Sequence, residues 1–173
     1  MSDFATRLDE QSVQFVRLLP GPIERVWSYL ADSDRRREWL GAGQIPAKLG
    51  DSFTLEIKHA DYWPGTAPPD QRAVRAAHTS LHVLLALEPP HLLAYSFQPE
   101  GWEETKVEFR LAPQGDKVRL TLIHTKLGSR GHAVDVSHGW HGHLDILQRK
   151  LEGEPLPPFD EVWRKGRYEQ RYN

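Results

Sequence analysis

Alternation of apolar and polar residues predicts half-buried strands along much of the chain. The predicted strands occupy residues 13–19, 52–59, 80–90 and 91–98 and the two arms of a hairpin at 105–127. In the 80–90 strand, the apolar face consists of Leu81, Val83, Leu85 and Leu87. The short connections between these segments predict an antiparallel sheet.

Apolar residues spaced three and four apart predict helices elsewhere in the chain. The first helix follows the turn Pro20-Gly21-Pro22 and buries Ile23, Val26, Trp27 and Leu30. A second short helix carries Arg35, Arg36, Arg37 and Trp39. A long helix over 134–152 presents one apolar stripe, and a terminal helix begins at Phe159 after a proline-rich linker.

The order of elements is one strand, two short helices, five strands, a long helix and a terminal helix. This order predicts an α+β fold in which a curved antiparallel six-stranded sheet wraps around the long helix and leaves a cleft. We expect a single domain over residues 1–173, with its core in 13–153 and an extension with a short helix in 154–173.

Composition narrows the classes of function. The formal net charge is −2, so no nucleic-acid partner is expected, and the lack of cysteine excludes disulfides and thiolate chemistry. Without an apolar leader or an apolar run of about 20 residues, we expect a cytoplasmic protein with no membrane partner. Phosphate loops, serine nucleophile elbows and zinc motifs are absent, so we expect no cofactor and no metal site.

Five sequence segments together indicate a protein family: PGPIERVWSYLADSDRRREWL, LALEPPHLLAYSF, VEFRLAPQGDKVRLTLIHTKL, GWHGHLDILQRKLEG and PPFDEVWRKGRYEQRY. They span most of residues 13–172 and resemble the SRPBCC superfamily, also called START-like or birch-pollen-allergen-like proteins. The closest resemblance is to the branch of the activator of heat-shock protein 90 ATPase. It implies a helix-grip fold with an apolar cavity between sheet and long helix. Such proteins bind lipids, hormones or polyketides, and some cyclise polyketides or act as chaperone partners.

The candidate cavity residues are histidines and aromatic residues. His59 and His124 each continue the apolar face of a strand, and Tyr62 and Trp63 open a long connection that can cover the cavity mouth. Three residues on the last helix and the sheet complete the set: Tyr95, Trp140 and His143. The alternative for each residue is a purely structural role, as a side chain packed at the sheet rim, under the loop or in the core.

Two charged clusters have competing interpretations. His138, His141 and Asp145 share the side of the long helix opposite the apolar stripe and are expected to face water. Two histidines and a carboxylate can hold a divalent metal, but Asp145 can instead pair with Arg149. The arginine run 35–37 is expected in solvent near the cavity mouth, as a solvated face or as an attraction for an anionic ligand.

We therefore expect a protein that binds a small apolar or amphipathic ligand, oriented by one or two histidines. The first alternative is a polyketide cyclase-like or hydrolytic enzyme with His59 or His124 as general base, although no residue is assigned as catalytic. The second is a chaperone-interaction module, which an exposed apolar patch on the outer sheet face would favour. The outward charges of Glu56, Lys58, Glu108 and Arg110 oppose such a patch. Monomer and homodimer both stay open.

Overall fold

The computed structural model describes residues 2–164 and 167–173, and these contain seven strands in one antiparallel sheet. The strands are β1 (Thr6–Asp9), β2 (Ser12–Pro20), β3 (Ser52–Ile57), β4 (His78–Glu88), β5 (Leu92–Phe97), β6 (Thr105–Gln114) and β7 (Lys117–Thr125). Their spatial order is β1-β2-β7-β6-β5-β4-β3. The sheet therefore has one strand more than the six that the sequence predicted.

The additional strand is β1, which pairs with the start of β2. Of its four residues only Arg7 is partly buried, and the others are exposed. Because β1 has no buried face, it lacks the alternation by which the other strands were predicted. It extends the sheet at the edge formed by β2.

Two short helices follow β2 as predicted: α1 (Ile23–Ala31) and α2 (Ser33–Arg37). Arg36 corrects the expectation that the arginine run lies in solvent, because this residue is only 1% exposed. Its guanidinium donates hydrogen bonds to the backbone carbonyls of Leu30 and Gly41, at 2.9 and 3.1 Å. Arg36 thus fastens the end of α1 to the segment after α2, while its two neighbours are exposed.

The long helix α3 (Arg130–Glu152) begins one turn before the predicted start. Ser129 caps it, since its Oγ accepts a hydrogen bond from the backbone N–H of His132 at 3.1 Å. Gly153 ends it with a φ of 71°, in the left-handed region that glycine adopts most easily. Across residues 2–164 and 167–173, no helix combines the length and the apolar character needed to cross a bilayer.

The inner face of the sheet and the apolar face of α3 share one core. The sheet contributes Phe15, Leu55, Tyr95, Phe109 and Leu122, and α3 contributes Trp140, Leu144 and Leu147. This arrangement of a curved open sheet around one long helix is the predicted helix grip.

Strand β4 corrects one predicted face. Leu81 and Leu85 are 64% and 41% exposed, whereas Leu84 is buried. A β-bulge between Leu84 and Ala86 shifts the register, so that Leu87 returns to the side of the core. The apolar stripe predicted from the sequence is therefore divided between the two faces of the sheet, because simple alternation cannot reveal an inserted residue.

The segment after α3 packs back against that helix. Its helix α4 covers only Phe159–Val162, and residues 167–172 form turns, so the terminal helix is shorter than predicted. Two residues of the predicted helix, Lys165 and Gly166, lie outside the described residues. Phe159 and Val162 are buried, so the segment docks on the rest of the domain through these two side chains.

Candidate ligand cavity

A cavity of 290 Å³ lies between the sheet, α3, the 58–77 connection and the C-terminal segment. Its wall is mainly apolar and aromatic, with contributions from Ile57, Val74, Phe97, Trp102, Trp140 and Trp163. Its polar lining groups are His59, His78, Asp135 and His143. An apolar chamber with a few polar groups is the usual composition of a small-molecule site.

Three of the seven predicted cavity residues line this cavity: His59, Trp140 and His143. His59 is 4% exposed and begins a 3₁₀ turn directly after β3. Neither of its ring nitrogens has a hydrogen-bond partner among the described residues. Its ring stacks on His143 with centroids 6.0 Å apart and stands edge-on to Trp163 at 5.0 Å.

Burial lowers the pKa of His59 to about 4, and the electrostatic influence of the His78 and Arg75 side chains acts in the same direction. The backbone carbonyl of Arg75 opposes the shift without making a well-formed hydrogen bond. His59 is therefore a neutral ring at pH 7, with one donor and one acceptor nitrogen. An unpaired polar group in such a place costs about 1–3 kcal/mol.

His143 is held in one tautomer. Its Nδ1 lies 2.7 Å from the carbonyl oxygen of Trp39, and because a carbonyl only accepts, the proton is on Nδ1. Burial lowers the pKa of His143 to about 3, although the hydrogen bond to Trp39 opposes this shift. The neutral ring keeps a lone pair on Nε2, so His143 contributes a hydrogen-bond acceptor to the cavity wall.

The four other predicted residues lie outside the lining and support it. Tyr62 donates from its hydroxyl to the carbonyl of Leu40 at 2.7 Å. Trp63 donates from Nε1 to the carbonyl of Pro157 at 3.1 Å. Tyr95 and His124 are 1% and 0% exposed and belong to the core behind the wall.

The connection and the C-terminal segment are joined to each other where they close the cavity. Besides the bond from Trp63 to Pro157, the amide of Gln71 donates to the carboxylate of Asp160 at 2.9 Å. Arg75 lies over the ring of Phe159 at 5.2 Å. The two segments therefore form one side of the cavity as a unit.

Sequence reasoning missed several wall residues, above all Trp102 and Trp163. Trp102 stacks on His132 of α3 with ring centroids 3.6 Å apart, which joins the β5–β6 loop to that helix. Trp163 belongs to the predicted terminal helix and was not among the residues predicted to line the cavity. The signal in the sequence was Gly142, a glycine inside the predicted long helix, where the structure shows that a Cβ would come within 2.9 Å of the Trp163 ring.

The side of α3 opposite the apolar stripe is largely covered, whereas the sequence predicted that it faces water. His141 is 5% exposed, and its Nδ1 lies 2.7 Å from the hydroxyl of Tyr168. Asp145 pairs with Arg17 at 3.2 Å rather than with Arg149, which pairs with Glu154. The C-terminal segment and the buried Arg17 of β2 cover this face, which alternation alone did not reveal.

A second cleft of 450 Å³ borders this polar cluster. Charged side chains dominate its lining, among them Asp145, Arg149, Glu152 and Arg167. Within the described residues, no group of histidine and carboxylate side chains has the geometry of a metal site. The apolar cavity is thus the better candidate for a ligand site.

Comparison with known proteins places the chain in a family. The family described as activator of Hsp90 ATPase homolog 1-like protein matches residues 20–152. No curated protein gives a significant match. A solution structure of the protein encoded by gene BPP1335 of Bordetella parapertussis is 42% identical, with a TM-score of 0.82, over 99% of this chain and 91% of that one.

A more distant structure shares the fold. CalU16 of Micromonospora echinospora is 24% identical, with a TM-score of 0.68, over 94% of this chain and 89% of that chain. The family match covers the strands from β3 to β7 and all of α3, which build the helix grip. The chain belongs to the activator of Hsp90 ATPase homolog 1-like family of the SRPBCC superfamily.

Proposed function

We propose that this protein binds a small apolar or amphipathic molecule in the cavity between the sheet and α3. The observation that carries the proposal is the apolar cavity of 290 Å³ with the unpaired ring of His59 in its wall. Burial of apolar ligand surface would supply about 25 cal/mol per Å² before the costs of association. Neighbouring side chains cover both ring nitrogens of His59, and a polar ligand group that reached one of them would remove the cost of the unpaired imidazole.

The dimensions of the cavity limit the ligand. Small-molecule sites usually measure about 300–1,000 Å³, so this cavity is at the lower end of the range. It fits a compact molecule better than a long-chain lipid. Three tryptophans in the wall, Trp102, Trp140 and Trp163, offer flat surfaces for such a molecule.

The test is native mass spectrometry of the purified protein, followed by extraction of any bound molecule. Gly139 offers a blocking variant, because it lines the cavity and a Cβ there would meet no atom within 4 Å. Gly139→Phe should fill the cavity without disturbing the helix backbone. We expect a bound mass on the native chain and its loss in this variant.

Gly131→Phe is the matched control. Gly131 lies on the same helix but is exposed, lies outside the cavity lining and has only an ordinary contact to Ser129. This control should keep the bound mass. If the native chain carries no bound molecule and binds none of a series of phenol- and naphthalene-sized probes, the proposal fails.

A second candidate function, interaction with a chaperone, is favoured by one observation. The leucines exposed by the β4 bulge, Leu81 and Leu85, lie on the outer face of the sheet. The two side chains lie four residues apart on one strand and form a small apolar surface, a feature that marks protein contacts when it belongs to a larger patch. Co-elution of the protein with a purified chaperone of the heat-shock protein 90 class, lost on Leu81→Ser with Leu85→Ser, would support this role.

A further inference from the structure

The polar groups deep in the cavity are two stacked imidazoles. The rings of His59 and His143 are nearly parallel, with an interplanar angle of 15°. Both are buried, whereas the other polar lining groups, His78 and Asp135, are exposed. The buried end and the exposed end of the cavity therefore differ in what they can recognise.

We propose that the cavity selects ligands that carry an uncharged hydrogen-bond donor, a hydroxyl or N–H group, on an apolar body and discriminates against carboxylates of the same shape. This inference rests on the proposed function, because it names the ligand class of the same cavity.

The hydrogen bond of His143 to Trp39 determines which group the ligand must present. Since Nδ1 donates to the Trp39 carbonyl, Nε2 has only a lone pair to offer. A ligand hydroxyl can donate to it, whereas an ether or a carboxylate of similar size would place a second lone pair against it. A donor group on the ligand is therefore favoured over an acceptor alone.

The charges around the cavity disfavour an anion. No lysine or arginine is among the lining residues that the structure describes, and the charged lining group is the carboxylate of Asp135. Arg75 lies behind the wall and outside the lining, where it donates to the carbonyl of Trp63 and to the side-chain oxygen of Gln71 while its Nε has no partner among the described residues, so its guanidinium does not border the space that a ligand would fill. A carboxylate in this apolar chamber would lose hydration without gaining a cation.

The two unpaired ring nitrogens of His59 favour the same class of ligand. Its neutral ring has one donor and one acceptor nitrogen, and both lack partners among the described residues. A hydroxyl group both donates and accepts, so it matches either nitrogen, although neighbouring side chains cover both nitrogens and must move before a ligand can reach them. A group that only accepts satisfies at most the donor nitrogen.

The experiment compares matched probes by isothermal titration calorimetry at pH 7. One series is 2-naphthol, 2-methoxynaphthalene and 2-naphthoate, and a smaller series is phenol, anisole and benzoate. We expect each hydroxyl probe to bind about three- to tenfold more tightly than its methyl ether. The carboxylates should bind at least about tenfold more weakly than the hydroxyl probes.

His143→Asn makes the test specific to one atom. The Asn amide can keep the hydrogen bond to Trp39 that Nδ1 makes, but it places no acceptor at the position of Nε2. In this variant the preference for hydroxyl over ether should fall below about twofold, and this ratio is the readout because the loss of the ring changes the wall for both probes alike. Circular dichroism and a urea titration would verify that the variant is folded.

The outcomes separate the two proposals. Equal binding of hydroxyl and ether probes to the native chain, or carboxylate binding as tight as that of the hydroxyl probes, would overturn the inference and leave the proposed function standing. A hydroxyl preference that survives in His143→Asn would also overturn the role assigned to Nε2. Absence of saturable binding for every probe in both series would count against the proposed function itself.

Discussion

Trp140 of α3 donates a hydrogen bond from its indole Nε1 to Nδ1 of His124 on β7, over 3.0 Å. Nε2 of His124 donates in turn to the hydroxyl of Thr105 at 2.7 Å, and Thr105 donates to the carbonyl of Phe97. These bonds join two wall residues, Trp140 and Phe97, through buried polar groups. Because both nitrogens of His124 are occupied, the ring offers no free lone pair to a substrate, which argues against a role as general base.

His124→Phe should destabilise the fold, because it leaves the indole N–H of Trp140 buried without an acceptor. We expect the free energy of unfolding to fall by about 1–3 kcal/mol in a urea titration. His91→Phe is the control: His91 is exposed and loses one hydrogen bond, from Nδ1 to the carbonyl of Leu111 at 3.2 Å, so the change should cost less than about 1 kcal/mol. If both substitutions lower the free energy of unfolding equally, the hydrogen bonds of His124 to Trp140 and Thr105 do not stabilise the fold.

Stability should fall in mild acid because of the buried neutral histidines. Burial lowers the pKa of His124 and of His143 to about 3, so the folded chain does not protonate them between pH 7 and 5. In the unfolded chain a histidine gains its proton below a pKa of about 6.5. The unfolded state therefore binds more protons, and the free energy of unfolding decreases as the pH falls from about 6.5 toward 3.

Each such histidine should contribute about 2 kcal/mol to the loss of stability between pH 7 and 5. His143→Asn removes one of these groups, so urea titrations at the two pH values should give a smaller difference for this variant than for the native chain. His91→Asn, at an exposed position, should leave the difference unchanged. If the free energy of unfolding changes between pH 7 and 5 by the same amount in His143→Asn as in the native chain, His143 is not one of the histidines that cause the loss of stability.

Gly142→Ala should displace the C-terminal segment. A methyl group at this position would approach the ring of Trp163 to 2.9 Å, closer than packed carbon atoms allow. We expect a cost of about 1–3 kcal/mol and faster proteolysis after residue 154. Gly139→Ala, three residues earlier in open space, should be neutral or stabilising by up to about 1 kcal/mol. The same proteolysis pattern in both variants would refute the packing argument.

Asp145→Ala should be destabilising. It removes the carboxylate that pairs with Arg17 at 3.2 Å, and the Arg17 side chain is only 1% exposed. The Asp145 side chain is 29% exposed, so losing it leaves the buried Arg17 guanidinium without its carboxylate in a partly solvated place, which costs about 1–3 kcal/mol. Asp135→Ala on the exposed side of the same helix should change stability by less than about 0.5 kcal/mol. A small effect at Asp145 in urea titrations would show that Arg17 finds another partner.

The fold could be predicted from the sequence because most strands and α3 have one buried face. Periodicity reports burial on one side, so it located β2, β3 and α3. It failed for β1, which is exposed, and for the direction of Leu81 in β4, which depends on a bulge. Neither feature leaves a regular pattern in the sequence.

The site could be predicted only in part. His59 and His143 were identified because each lies at the edge of an apolar face, and both line the cavity. Trp163 was not, since its contact depends on how a segment without periodicity packs on α3. The burial of Arg36 and His141 was also missed, because long-range partners decide whether a charged or polar side chain is covered.

The contacts between the 58–77 connection and the C-terminal segment have an evolutionary consequence. Trp163 lies beyond residues 20–152, the stretch shared with the family at large, and the connection lies between two strands of that stretch. Both contribute wall residues and belong neither to a strand of the sheet nor to α3. Descendants of one ancestral scaffold could therefore acquire differently shaped chambers by exchanging these two pieces alone.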